Sequence, residues 1–163
     1  MPNGSILSFN LTNVGTFAIL KAMRDNTWLA GRLTDLHRTY FSDVVIGNRL
    51  YAKFGRNSRT RLGSIIAKPH PDYEQPVTCI TITGLFKPES VPDYVIEATL
   101  VHELAHYAHG FHSPLAQRYQ HPHRGNVVGL ELKSRGAYHL VVDQEQWLKA
   151  EYSTLIRQLS NHA

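Results

Sequence analysis

A single cysteine, Cys79, serves the whole 163-residue chain, so neither an intramolecular disulfide nor a four-cysteine zinc ribbon can form. Long apolar runs are also scarce. No stretch approaches the roughly 20 apolar residues that a membrane-spanning helix needs. The first residues, Met-Pro-Asn-Gly-Ser-Ile-Leu-Ser, have neither the cationic start nor the apolar run of a signal peptide. No internal repeat, low-complexity tract or dividing linker interrupts the chain. The expectation is one soluble domain with no membrane partner, in a reducing, cytoplasmic compartment.

What is present begins with an ordinary globular composition, 42% hydrophobic and 18% charged, enough for a proper core at this length. The net charge is +4, from 17 Lys/Arg against 13 Asp/Glu. Part of that excess lies in the segment from Lys53 to Arg61, which has four basic residues in nine and no acid. Such a segment is either a solvated basic hairpin loop or a surface that neutralises phosphates. Histidine is the unusual residue: six of the ten fall between His102 and His123. A local cluster of imidazoles is what a metal site requires.

Residues 1 to about 25 show no clean period and are expected to be an irregular or weakly helical lead-in. From Trp28 to Phe41, apolar residues recur at three- and four-residue steps, the signature of an amphipathic helix. Three strand-like segments follow, Val44 to Phe54, Arg61 to Ala67 and Val77 to Thr83, rich in β-branched and aromatic residues. Gly55 to Ser58 suits a turn between the first two, and Lys68 to Asp72 a break before the third. A helix is expected to start near Ser90, a possible cap, with Pro92 in its first turn, and to end near Gly110. After a proline-containing loop, further helices are expected from Arg124 to Ser134, stopped by Gly136, and from Asp143 to Leu159. These elements predict an α+β fold, a single domain with a small sheet packed against helices.

The chemistry is concentrated in His102-Glu103-Leu104-Ala105-His106. On a helix, residues four apart project from one face, so both imidazoles can hold one Zn²⁺. Glu103 then stands beside the metal, where a carboxylate can act as general base on a water acidified by zinc. This H-E-x-x-H spacing belongs to metallopeptidases. The segment lies among Val95, Ile96, Leu100 and Val101, so its polar face is partly buried and needs a partner. A catalytic zinc takes three protein ligands and an open position. Spacing leaves His109, His112, His121, His123 and Glu131 as candidates for the third, His109 being more plausible as a supporting group or an exposed helix end. Tyr138, His139 and Arg124 could steady an oxyanion, and Asp143, Glu145 and Glu131 could orient ligand imidazoles. A plain structural role is the default for each.

The run Val101-His102-Glu103-Leu104-Ala105-His106, the strands before it with Arg61-Leu62-Gly63, and the later His123-Arg124-Gly125 resemble the SprT-like metallopeptidases. The resemblance spans roughly Trp28 to His139. It implies a minimal zincin-like core around the active-site helix, with His102, His106 and His123 as zinc ligands and Glu103 as the catalytic residue. It also implies hydrolysis of protein substrates, in some members proteins associated with DNA. Lys53 to Arg61, Arg118, Arg124, Lys133 and Arg135 are the cations that could meet DNA. The third motif here is His-Arg-Gly-Asn-Val, not the family's His-Gly-x-x-aromatic, and the cysteine ribbon that many relatives carry has no counterpart. A non-catalytic, metal-stabilised nucleic-acid-binding protein is the competing expectation.

Overall fold

The computed structural model describes residues 22–161. The irregular lead-in expected at the N-terminus lies, up to residue 21, outside them. The Asp25 carboxylate accepts from the Trp28 backbone N–H at 2.8 Å and so starts α1 (Asn26–Tyr40). Leu29, Leu33 and Leu36 then bury one stripe of that helix, each contributing about 1.5–3 kcal/mol.

Three strands follow, β1 (Leu50–Phe54), β2 (Gly63–His70) and β3 (Tyr73–Ile82). Their order is β1-β3-β2, with β3 parallel to β1 and antiparallel to β2. The middle strand is the one with a continuous buried run, Val77 to Ile80 and again Ile82, as a strand covered on both faces should be. This topology corrects the hairpin expected at Gly55–Ser58. Because β1 and β2 are not neighbours, the basic segment crosses the end of the sheet instead. Thr83 fastens it there, its hydroxyl accepting from the Ser58 N–H at 2.9 Å and donating to the Ser58 carbonyl at 2.8 Å.

The strand boundaries also differ; β3, for one, begins at Tyr73 where Val77 was expected. The strand expected from Val44 begins only at Leu50, because the preceding residues turn toward the Tyr107 hydroxyl, which donates to Asn48 Oδ1 at 2.8 Å and accepts from the Gly47 N–H at 3.2 Å. β2 runs on through Pro69, where a break was expected. Pro69 sits at a register irregularity between Lys68 and His70 on an edge strand, a position where its missing N–H leaves no ladder bond unmade.

Helix α2 (Asp93–Ala108) is the centre of the molecule. Twelve of its sixteen residues are buried, so it is enclosed nearly all round. Pro92 occupies the cap position and no side chain caps the helix, which removes the role expected of Ser90. Arg24 and Arg32 instead hold the first-turn carboxylate of Asp93. At the other end, the Gly110 N–H donates to the Tyr107 carbonyl (3.0 Å) and the Phe111 N–H to the His106 carbonyl (2.9 Å). That is a Schellman closure, and it needs a left-handed residue at Gly110, whose φ is +82°. A Cβ there would also fall 2.5 Å from the Ala116 carbonyl oxygen. The sharp stop sends the next segment back over the helix end, where the Arg118 N–H bonds the His109 carbonyl at 2.9 Å.

The helix expected from Arg124 is broken at its start. Arg124–Asn126 is a single 3₁₀ turn, Gly125 (φ +71°) and Asn126 (φ +54°) are left-handed, and α3 proper is Val127–Ser134. His123 therefore precedes a kink instead of opening the helix. Gly136 (φ +73°) ends α3 as expected, and α4 (Tyr138–Ser160) restarts at once, five residues earlier than its periodicity indicated. The described residues form an α+β fold, a three-stranded sheet and four helices around one hydrophobic core. None of these helices is long and apolar enough to cross a membrane.

Candidate metal centre

His102 and His106 leave α2 one turn apart on the same face, as four-residue spacing requires. Their Nε2 atoms are 3.1 Å apart. The loop turned back by Gly110 brings in His123, and the three residues have ring nitrogens within 4.8 Å of one another. The His123 ring centroid lies 4.6 Å from that of His106 and 5.6 Å from that of His102. No acid stands among the three rings. Burial lowers His102 to about 4 and His106 to about 3, each further depressed by the neighbouring imidazoles. Both rings are thus neutral at ordinary pH and carry a lone pair for a cation.

Does this donor set fit zinc? Two nitrogens bound to one tetrahedral Zn²⁺ at 2.0–2.1 Å stand roughly 3.3 Å apart. The His102–His106 separation of 3.1 Å is close to that spacing already. Three imidazoles, two on a rigid helix and one on a returning loop, are a fitting set.

Glu103 is only 6% exposed and lines, with the three histidines, a cavity of about 290 Å³. Burial raises its carboxyl to about 7. The wall facing it is β2, and the approach is close enough to require glycine. A Cβ on Gly63 would lie 2.4 Å from Thr99 Cγ2 and 2.9 Å from Glu103 Oε1. Ser64, Ile65, Phe111, His112 and Pro122 complete the lining.

The other sequence candidates go elsewhere. His112 lines the cavity but is tied to the sheet, its carbonyl accepting from Thr78 Oγ1 at 2.7 Å. His121 is exposed and outside the cluster. Glu131 is taken up by Arg135, whose Nε donates to it at 2.8 Å, and by His109 Nε2 at 3.2 Å. His109, one of whose expected places was an exposed helix end, is fully buried. Of the oxyanion candidates, Tyr138 lines a second cavity that includes His102 and His123. His139 Nδ1 lies 3.0 Å from the Gly136 carbonyl oxygen, and Arg124 is exposed. Glu145 and Asp143 are both exposed; Glu145 lines the second cavity and Asp143 lines neither.

Sequence reasoning missed the His109–Glu131–Arg135 cluster and the second cavity. Glu131 and Arg135 are four apart on a helix, a visible pairing signal. The contact from His109 across 22 residues has no local signature. Compared with known proteins, the chain matches no family model, no curated protein and no solved structure.

Proposed function

We propose that this protein is a zinc metallopeptidase of the SprT-like kind, with His102, His106 and His123 as metal ligands and Glu103 as the catalytic carboxylate. The observation that carries the reading is the convergence of three imidazoles and one buried carboxylate on a single cavity. A purely structural metal site has no need of Glu103. The element order supports it too: a sheet, the buried helix, then a loop returning His123.

Zinc, when bound, supplies a Lewis acid that acidifies a water and polarises a carbonyl. Glu103 accepts the proton of the attacking water and passes it to the leaving amine. Gly63 fixes where that carboxylate sits, since β2 leaves it only the cavity side. A peptide is the favoured substrate because β2 is an edge strand beside the cavity, with Gly63, Ser64 and Ile65 in its wall. Its outer N–H and C=O groups can pair with an extended chain.

The test is zinc content and peptide hydrolysis in the parent and in Glu103→Gln. The expected result is about one zinc per chain in both and hydrolysis only in the parent. Equal hydrolysis in both removes Glu103 as the base. Zinc without hydrolysis in the parent favours the non-catalytic nucleic-acid-binding protein.

A cytoplasmic location and action on DNA-associated proteins complete the proposal. The exposed cations available for DNA are Lys53 in β1, Arg56, Arg59 and Arg61 on the crossing segment, and Arg118, Arg124 and Lys133 elsewhere. Arg135 is withdrawn, its side chain 11% exposed and held by Asp43 and Glu131. DNA binding that weakens steeply with salt, and less steeply after Arg56, Arg59 and Arg61 are neutralised, is the expected result. No binding at low salt discards this partner.

A further inference from the structure

A second cavity of about 390 Å³ lies beyond His102 and His123, which form part of its wall as well as part of the first. Its floor is apolar: Val128 and Leu132 from α3, Val141 and Leu148 from α4. The α4 contribution is one stripe, Tyr138, Val141, Gln144, Glu145 and Leu148, at the three- and four-residue steps that put side chains on one helix face. Two polar residues interrupt that stripe. Gln144 is accounted for, because its amide donates to the Val95 carbonyl at 2.6 Å and to Thr99 Oγ1 at 2.8 Å, fastening α4 to α2. Glu145 has no such duty. It forms no ion pair among the described residues and is the one carboxylate that lines the cavity.

We propose that this cavity receives the side chain of a substrate residue flanking the scissile bond, and that it selects a long side chain with a cationic end, arginine or lysine. The inference rests on the peptidase reading. A chain lying across the first cavity must pass the shared wall of imidazoles, so its next side chain is delivered to the second. An aliphatic stem covers Val141, Leu148 and Leu132, and the cationic head meets Glu145. An apolar side chain fills the same space but offers the exposed Glu145 carboxylate no partner. An acidic side chain meets like charge. The Lys133 ammonium, 4.6 Å from the centroid of the Tyr138 ring, leaves the Tyr138 end already cationic and directs an incoming cation to the Glu145 end.

The experiment uses labelled peptides carrying Arg, norleucine or Asp at each position in turn, bound to zinc-loaded Glu103→Gln and read by fluorescence anisotropy. At one position, Arg is expected to bind about tenfold tighter than norleucine, and Asp weakest. Adding Glu145→Lys should reverse the order of Arg and Asp at that position. Adding Leu148→Trp, which fills the cavity, should weaken the Arg peptide about tenfold with zinc content unchanged. Equal binding of Arg and norleucine at every position, or an order unmoved by Glu145→Lys, overturns the proposal.

Casein hydrolysis by the parent, run in parallel, separates the two readings. Cleavage with no Arg preference, or with no peptide binding at all, sinks the pocket and leaves the peptidase. Arg preference without cleavage sinks the peptidase and leaves the pocket.

Discussion

Two buried histidines three residues apart, His106 in the last turn of α2 and His109 at its C-cap, are treated in opposite ways. His109 Nε2 faces the Glu131 carboxylate at 3.2 Å, and Arg135 braces that carboxylate from its other oxygen. The Tyr119 ring closes over it at 4.7 Å between centroids. His106 Nε2 faces another imidazole nitrogen at 3.1 Å, with a third ring beside it and no acid in the group. Both residues are nearly or fully inaccessible, and both have an Nδ1 without a hydrogen-bond partner. Burial and an unpartnered nitrogen therefore do not mark a metal ligand. What distinguishes the two regions is the charge supplied around the ring: a carboxylate and guanidinium at His109, only further lone pairs at His106.

The largest effect expected from that difference is on metal content. His102→Ala or His106→Ala should abolish stoichiometric zinc, measured by elemental analysis after dialysis. Groups that merely orient a ligand histidine are worth about 10–100-fold in metal affinity, and a ligand itself is worth more. His109→Ala should leave about one zinc per chain. Full zinc in His106→Ala, or its loss in His109→Ala with the fold intact, would break the comparison.

Next is stability. His109→Ala removes a ring from a fully enclosed site and leaves Glu131 with one partner fewer. A loss of about 2–4 kcal/mol is expected, read from urea unfolding of the zinc-free protein. An unchanged midpoint would mean that His109 is no structural clamp.

The asymmetry between the two clusters also decides what could be foreseen. His102, Glu103 and His106 were legible because helical spacing alone puts them on one face, and the apolar residues around them announced burial. Spacing made His123 one of five candidates and only the resemblance singled it out, since its position depends on the Schellman turn at Gly110 and the kink at Gly125–Asn126. The helices were found by period, yet the sheet order was not. Whether β1 pairs with β2 or β3 depends on which strand the core covers on both faces, and three short β-rich segments do not reveal that. Val44 to Arg49 looked like strand because Val44, Val45 and Ile46 are β-branched, whereas the Tyr107 hydroxyl holds Gly47 and Asn48 in a different conformation. The His109 clamp joins residues far apart in sequence, and composition gives no hint of it.

A smaller effect tests how the Glu103 carboxylate is seated. Gly63→Ala would put a methyl group against Thr99 Cγ2 and Glu103 Oε1, forcing β2 and α2 apart by a few tenths of an ångström or more. The His102 and His106 imidazoles project from the same helix but are not among the atoms nearest that methyl group. Zinc content should therefore hold while hydrolysis falls about tenfold, a change of roughly 1.4 kcal/mol in the barrier. Equal loss of zinc and activity would show that the strand supports the whole cluster and not Glu103 in particular.

The smallest effect belongs to the clamp's own carboxylate. Burial by itself would raise Glu131, but the hydrogen bonds from Arg135 and His109 outweigh it and hold the carboxyl below its ordinary 4.5. A carboxyl depressed in the folded state contributes stability that is fully present above the unfolded value. That stability is lost as pH falls through the lower, folded value. Stability of the parent should thus decline below about pH 4.5. Glu131→Gln keeps the shape and an acceptor oxygen, so its cost at neutral pH should be about 1 kcal/mol or less. It should also flatten the acid limb, measured as the urea midpoint against pH. Asp43, lowered by its own hydrogen bond to Arg135, is largely exposed and should leave only a small residual slope. If the acid limb is as steep in Glu131→Gln as in the parent, the Glu131 charge is not what completes His109, and the contrast with His106 then rests on packing.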